Sequence, residues 1–195
     1  VTNVVPGSTT VSAEGRNYVR YGSVDVADNK EVVKSTTVQI DYTAPVTTSL
    51  TTGTVQGSPF NLEPNLYYLD SATVTLTATD PLPVGVNLQS GVADTQYCVD
   101  QTDTCTPSTS GTSVGVTTQG INYVRFNSVD NANNAETVKS IVVRINKDSD
   151  GDGVYDNFDA CPTTTGPYQG CPVGDKNHVD LHIIDQAKRG DCKGA

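Results

Sequence analysis

The chain has 195 residues, with Lys+Arg 12 against Asp+Glu 22 and a net charge of −10. That sign excludes a nucleic-acid or anionic-membrane partner, and no apolar run approaches the ~20 residues of a membrane-inserted helix. Only 17% of residues are charged, Trp and Met are absent, and Thr, Ser, Val and Gly abound, a composition suited to an extracellular all-β protein of one or two domains.

The opening Val1-Thr2-Asn3 carries no signal peptide and is expected of a mature or excised segment. Residues 15–40 and 120–145 are two copies of one element, 105 positions apart and identical at sixteen of twenty-six positions. Self-similarity at this period implies tandem domains. Alternation around Tyr18–Ser23 and Val33–Ile40 predicts a β-hairpin. Its turns fall at Ala27-Asp28-Asn29-Lys30 and, in the second copy, Ala132-Asn133-Asn134-Ala135, where Asn and Asp tolerate left-handed backbone. Asp25 and Asp130 open these turns. Hydrogen bonding to the backbone ahead is their plainer role, and a bound calcium ion the sharper one.

A complete domain is expected over 43–147. It begins at the Asp41-Tyr42-Thr43-Ala44-Pro45-Val46 junction, where Pro45 removes a ladder donor. An edge strand over about 46–52 precedes a Gly/Pro loop. Residues 72–80 alternate most clearly, with Val74, Leu76 and Ala78 facing the core and Thr73, Thr75, Thr77 and Thr79 facing out. A strand over 92–99 leads into a Cys98–Cys105 loop, and the repeated hairpin closes the domain near Asn146. Residues 1–42 match only the closing part of such a domain.

The features Gly120, Asn122, Ser128-Val129-Asp130, Ala132, Asn134, Lys139-Ser140 and Ile145-Asn146 resemble the closing strands of bacterial and archaeal immunoglobulin-like repeats. That resemblance implies an immunoglobulin-like β-sandwich used as an extracellular spacer, adhesin segment or enzyme accessory. It implies no chemistry of its own.

The acidic run that follows is the most specific signal. Asp148, Asp150, Asp152, Asp156 and Asp159 stand close together with no Lys or Arg among them. Crowded carboxylates are costly unless a cation joins them, and calcium is a hard ion that takes six to eight oxygen ligands. The spacing lets these five aspartates and the Val154 carbonyl wrap one ion, with Gly153 making the sharp turn. An EF-hand or dockerin loop would continue as a helix, whereas Ala160-Cys161-Pro162-Thr163-Thr164-Thr165-Gly166-Pro167 is punctuated by Pro and Gly. The string D-x-D-x-D-G-x-x-D-x-x-D-x-C-P closely resembles the thrombospondin type 3 repeat, and Gly170-Cys171-Pro172 resembles the closing turn of its bacterial surface-protein version. Over 148–172 the resemblance implies calcium binding in a segment where metal and disulfide replace a hydrophobic core.

Four of the five cysteines form close local pairs, Cys98 with Cys105 and Cys161 with Cys171. Beside β-patterned sequence these are expected as disulfides in an oxidising compartment, since their spacing supplies no compact zinc set. Cys192 is left over: it pairs beyond Ala195, bridges to another chain, or stays free. Residues 173–195 are expected to start a further β module, with His178, Asp180 and His182 on one strand face. A polar surface explains that face more simply than a metal does.

There is no nucleophile–base pair, P-loop or dinucleotide fingerprint, so no enzyme is expected. The leading expectation is a calcium-binding stalk or adhesion segment of a modular cell-surface protein. It would contact calcium, neighbouring domains and a surface ligand or other copies of itself. One alternative is a fibre or sheath subunit that assembles by strand complementation at the incomplete N-terminal sandwich. Another is an accessory region of a secreted hydrolase.

Overall fold

The computed structural model describes residues 7–55, 66–156, 158–167 and 170–172. Nine strands occur there: β1 (Gly15–Tyr21), β2 (Lys34–Ile40), β3 (Val46–Val55), β4 (Tyr67–Thr79), β5 (Val92–Asp100), β6 (Thr109–Ser110), β7 (Ser113–Val116), β8 (Gly120–Asp130) and β9 (Lys139–Asn146). Among the described residues no helix is long and apolar enough to cross a membrane. The 173–195 module, with His178, Asp180, His182 and Cys192, lies outside the described residues.

Strands β1 and β2 form a two-stranded antiparallel sheet in the register Gly15↔Ile40 to Tyr21↔Lys34. The other seven run in the order β3-β4-β9-β8-β5-β6, with β7 also on β4. In immunoglobulin terms β3, β4 and β7 correspond to strands A, B and E, and β9, β8 and β5 to G, F and C. The fold is an all-β immunoglobulin-like sandwich.

β4 joins both sets because its backbone turns. Tyr67, Tyr68 and Leu69 pair in parallel with Arg144, Ile145 and Asn146 of β9. Asp70 then takes a positive φ of 60°, and farther along the Leu76 amide donates to the Thr112 carbonyl.

The chain divides into two compact units, residues 1–50, 74–114 and 123–141 in one and 51–73, 115–122 and 142–195 in the other. In the first, Val74, Leu76, Val114, Val124 and Phe126 are buried; in the second, Ala72, Val116, Val143, Ile145 and Cys171 are. The alternation expected for 72–80 holds: Thr73, Thr75, Thr77 and Thr79 are exposed, and Ala78 is half-buried. The strand itself starts earlier, at Tyr67.

Both hairpin copies fold their turns alike. Asp28 and Asn133 have φ of 68° and 67°. Asp25 Oδ1 accepts from the Ala27 and Asn29 amides, and Asp130 Oδ1 accepts from the Ala132 and Asn134 amides. Asn17 donates to the Ala13 and Gly15 carbonyls as Asn122 does to those of Thr118 and Gly120. Burial separates the copies. Phe126 is 2% exposed whereas Tyr21, its counterpart, is 52% exposed.

A buried polar network fastens the second copy. Glu136 accepts from the Thr47 amide (3.1 Å), the Thr47 hydroxyl and the Ser128 amide (3.0 Å), and it pairs with Lys139 at 2.7 Å. The hydroxyls of Thr47 and Thr95 meet that of Ser128 at 2.6 and 2.8 Å. In the first copy Glu31 bonds the Ser23 amide and pairs with Lys34, in an exposed setting.

Candidate metal centre

The loop after β9 begins where the Asp156 amide bonds the Lys147 carbonyl at 2.8 Å, bending the chain back on itself. Asp148 holds the first turn, its two oxygens accepting from the Gly151 and Gly153 amides, both at 2.9 Å. Gly153, with φ of 92°, supplies the left-handed turn its position called for. The Asp152 amide donates to Asp150 Oδ1 (3.2 Å), and the Val154 amide donates to Asp152 Oδ1 (2.9 Å).

These turns bring one carboxylate oxygen each from Asp148, Asp150 and Asp152 within 4.8 Å of one another. That separation suits ligands lying 2.3–2.6 Å from a calcium ion, roughly as the ion requires. Two oxygens beside this group are buried without a hydrogen-bond partner, Asp150 Oδ2 and Asp159 Oδ2. Burial pushes the Asp150 carboxyl up from its ordinary value. A backbone hydrogen bond at Asp152 opposes that shift, while the charges of Asp152, Asp159 and Asp148 add to it. An upward shift from burial, with like charges adding to it, is what a carboxylate cluster short of positive charge shows.

The remaining expected ligands divide. Asp159 contributes its charge to Asp150, and its other oxygen accepts from the Cys161 amide at 2.7 Å. Asp156 is not in the group of three. Its two oxygens take the Ser149 amide and hydroxyl, both at 2.7 Å, and these bonds hold its carboxyl below the usual range. Val154 enters through its amide, as the donor to Asp152.

The segment beyond folds back onto the loop. The Gly166 amide donates to Asp152 Oδ2 at 3.1 Å. Cys161 and Cys171 form a disulfide with Cα atoms 5.0 Å apart, and Cys171 is fully buried. A Cβ at Gly170, whose φ is 84°, would fall on the Asp159 carboxylate. Gly170→Ala is therefore expected to displace Asp159 and free the Cys161 amide, seen as faster hydrogen exchange there. Gly151→Ala, with φ of 78° but nothing within 4 Å, should leave that amide protected.

The second disulfide, Cys98–Cys105, closes the loop after β5 with Cα atoms 6.2 Å apart. Asp100 caps it, accepting from the Asp103, Thr104 and Cys105 amides, each at 2.9 Å. These bonds, that of Thr104 foremost, hold its carboxyl far below the usual range. Sequence spacing foretold the bridge but not this capping role, although an aspartate two residues past Cys98 was the available signal.

No family model matches the chain, and no curated protein matches it. Among solved structures it is similar to the Clostridium thermocellum CbhA fibronectin(III)-like modules, with 14% identity and a TM-score of 0.35. The match covers 71% of this chain and 66% of that one.

Proposed function

We propose that this chain is a calcium-binding, non-catalytic stalk or adhesion segment of a modular extracellular surface protein. The observation that carries the proposal is the convergence of Asp148, Asp150 and Asp152, with partnerless buried oxygens on Asp150 and Asp159 beside them. The resemblance of 148–172 to a thrombospondin type 3 repeat supports the same ligand. Two disulfides favour an oxidising, extracellular compartment.

Asp148, Asp150 and Asp152 would hold the ion, with Asp159 as the fourth carboxylate. A bound calcium supplies the positive charge that lets these groups stay ionised together. Metal binding is thereby coupled to the folding of a segment with little apolar core. The expected outcome is a stiff, calcium-dependent connection between the sandwich and whatever follows it.

Calorimetric titration with calcium across the acid range tests this. The raised Asp150 carboxyl favours the protonated ion-free loop, a contribution present at low pH and lost as pH rises through the folded value. Protons and calcium compete for the same oxygens, so affinity should climb over that interval and level off near neutrality. No heat of binding at neutral pH, at millimolar calcium, would refute the proposal.

A second reading has one observation in its favour. Tyr18, Tyr21, Val24, Val26, Val32 and Val33 of the first hairpin copy are all more than half exposed. Such a surface suits self-assembly into a fibre or sheath by strand complementation. Light scattering decides: concentration-dependent growth that disappears on deleting residues 1–45 supports assembly, and a monomer at all concentrations supports the stalk.

A further inference from the structure

A second group of carboxylates lies in the compact unit that contains β1 and β2, far along the chain from the acidic loop. Asp41 follows β2, Asp80 follows β4 and Asp130 ends β8, yet one oxygen from each lies within 4.8 Å of the other two. Asp80 is 7% exposed and Asp130 1%. Among the described residues none of the three belongs to an ion pair.

Most of the oxygens in this group have an evident structural task. Asp41 accepts from the Thr43 amide (3.0 Å) and the Ser90 amide (2.6 Å). Asp130 caps its turn through Ala132 and Asn134, as Asp25 does in the first copy. Asp80 Oδ2 accepts from the Gly91 amide at 2.6 Å and from the Ser90 hydroxyl at 3.5 Å. Asp80 Oδ1 has none: it is buried and accepts no hydrogen bond.

An unpartnered carboxylate oxygen beside two further carboxylates, none of them ion-paired among the described residues, is costly to bury. Turn formation does not account for it, because the first copy makes the same turn around Asp25 alone. A cation seated among the three carboxylates would relieve it. Oxygens that already accept one hydrogen bond keep a second lone pair, so all three groups remain able to coordinate. An open cleft of about 430 Å³, lined by Gln39, Asp41, Ser90 and Asn131 among others, adjoins the cluster and gives solvent access.

We propose that Asp41, Asp80 and Asp130 form a second calcium site, independent of the acidic loop. The ion joins three segments: the linker after the first hairpin, the end of β4 and the turn after β8. Asn134 already ties two of them, donating to the Asp41 carbonyl at 3.1 Å. The site therefore sets how firmly the linker at Asp41 is held by the strands around it. All-oxygen donors on three separate segments suit the adaptable cage of calcium, whereas magnesium requires shorter bonds and stricter octahedral geometry.

The test uses the full chain carrying Asp150→Ala and Asp152→Ala, which removes the loop site. Calcium titration of this variant should still show one equivalent bound, and calcium should still raise its melting temperature. Adding Asp80→Asn keeps an oxygen for the Gly91 amide but removes the charge. It should weaken the remaining binding by about tenfold or more and abolish the thermal shift. Asp41→Asn should behave likewise. If the loop variant takes up no calcium at millimolar concentration, the assignment is overturned. Binding that survives both asparagine substitutions overturns it as well. If wild type binds one ion that only Asp80→Asn removes, this site stands and the loop assignment falls.

Discussion

Replacing Asp150 and Asp152 together by alanine is expected to make residues 148–172 indifferent to calcium while leaving the sandwich folded. In wild type, chelation should release the loop, giving a larger hydrodynamic radius and faster proteolysis between Asp148 and Cys161. The double variant should look chelated at every calcium concentration. The effect is large because the segment offers little else to fold around. Among its described residues Phe158 is 72% exposed, and Cys171 is the only fully buried hydrophobic side chain. At calcium a hundredfold above the dissociation constant, linkage favours the folded loop by about a hundredfold. The second site leaves this outcome untouched, since its ligands lie on other segments. Equal proteolysis of wild type with and without chelator would contradict the coupling.

The sandwich should respond to a different residue. Glu136→Ala leaves the Thr47 and Ser128 amides and the Thr47 hydroxyl without their acceptor and strands Lys139 beside them. Loss of one partner from such a buried network costs about 3 kcal/mol. For a domain of this size that lowers the melting temperature by roughly 15 °C. Glu31→Ala, the same change in the exposed first copy, should leave that transition where it is. Burial raises the Glu136 carboxyl, but its bonds to Lys139 and Thr47 outweigh this and hold it below the usual range. A depressed folded value gives stability that is present above the unfolded pKa and lost as pH falls through the folded one. Acid should thus narrow the gap between wild type and Glu136→Ala. Thermal unfolding followed by circular dichroism reads all three comparisons.

Much of this fold was legible from residue types alone. Alternating Thr with Val74 and Leu76 fixed the inward face of β4, and the repeated G-x-N-Y-V and V-D-x-A-x-N strings located both hairpins and their left-handed turn residues. Those signals are local, set by period-two alternation and by the side chains that tolerate positive φ. What escaped notice depends on tertiary pairing. The turn at Asp70, which lets β4 pair with both β7 and β9, shows no Gly or Pro. β6 and β7 are short and rich in Ser, Thr and Gly, so their strand character comes from their neighbours.

The acidic loop shows the same division. Its motif foretold that Asp148, Asp150 and Asp152 would converge. Spacing could not show that Ser149 would engage both oxygens of Asp156. The Asp41–Asp80–Asp130 cluster was illegible because its members sit on separate strand ends, brought together only by the sandwich. Of these, Asp41 stood out in the sequence as part of the domain junction and Asp130 for its turn and as a calcium candidate there; nothing in the sequence joined them to each other or to Asp80.

The most direct measurement is an anomalous-difference map from a crystal of the full chain grown in calcium. A peak is expected among the carboxylates of Asp148, Asp150, Asp152 and Asp159, with oxygen distances near 2.4 Å, roughly those of calcium. A map without that peak, from a crystal whose loop keeps the same shape, would contradict it.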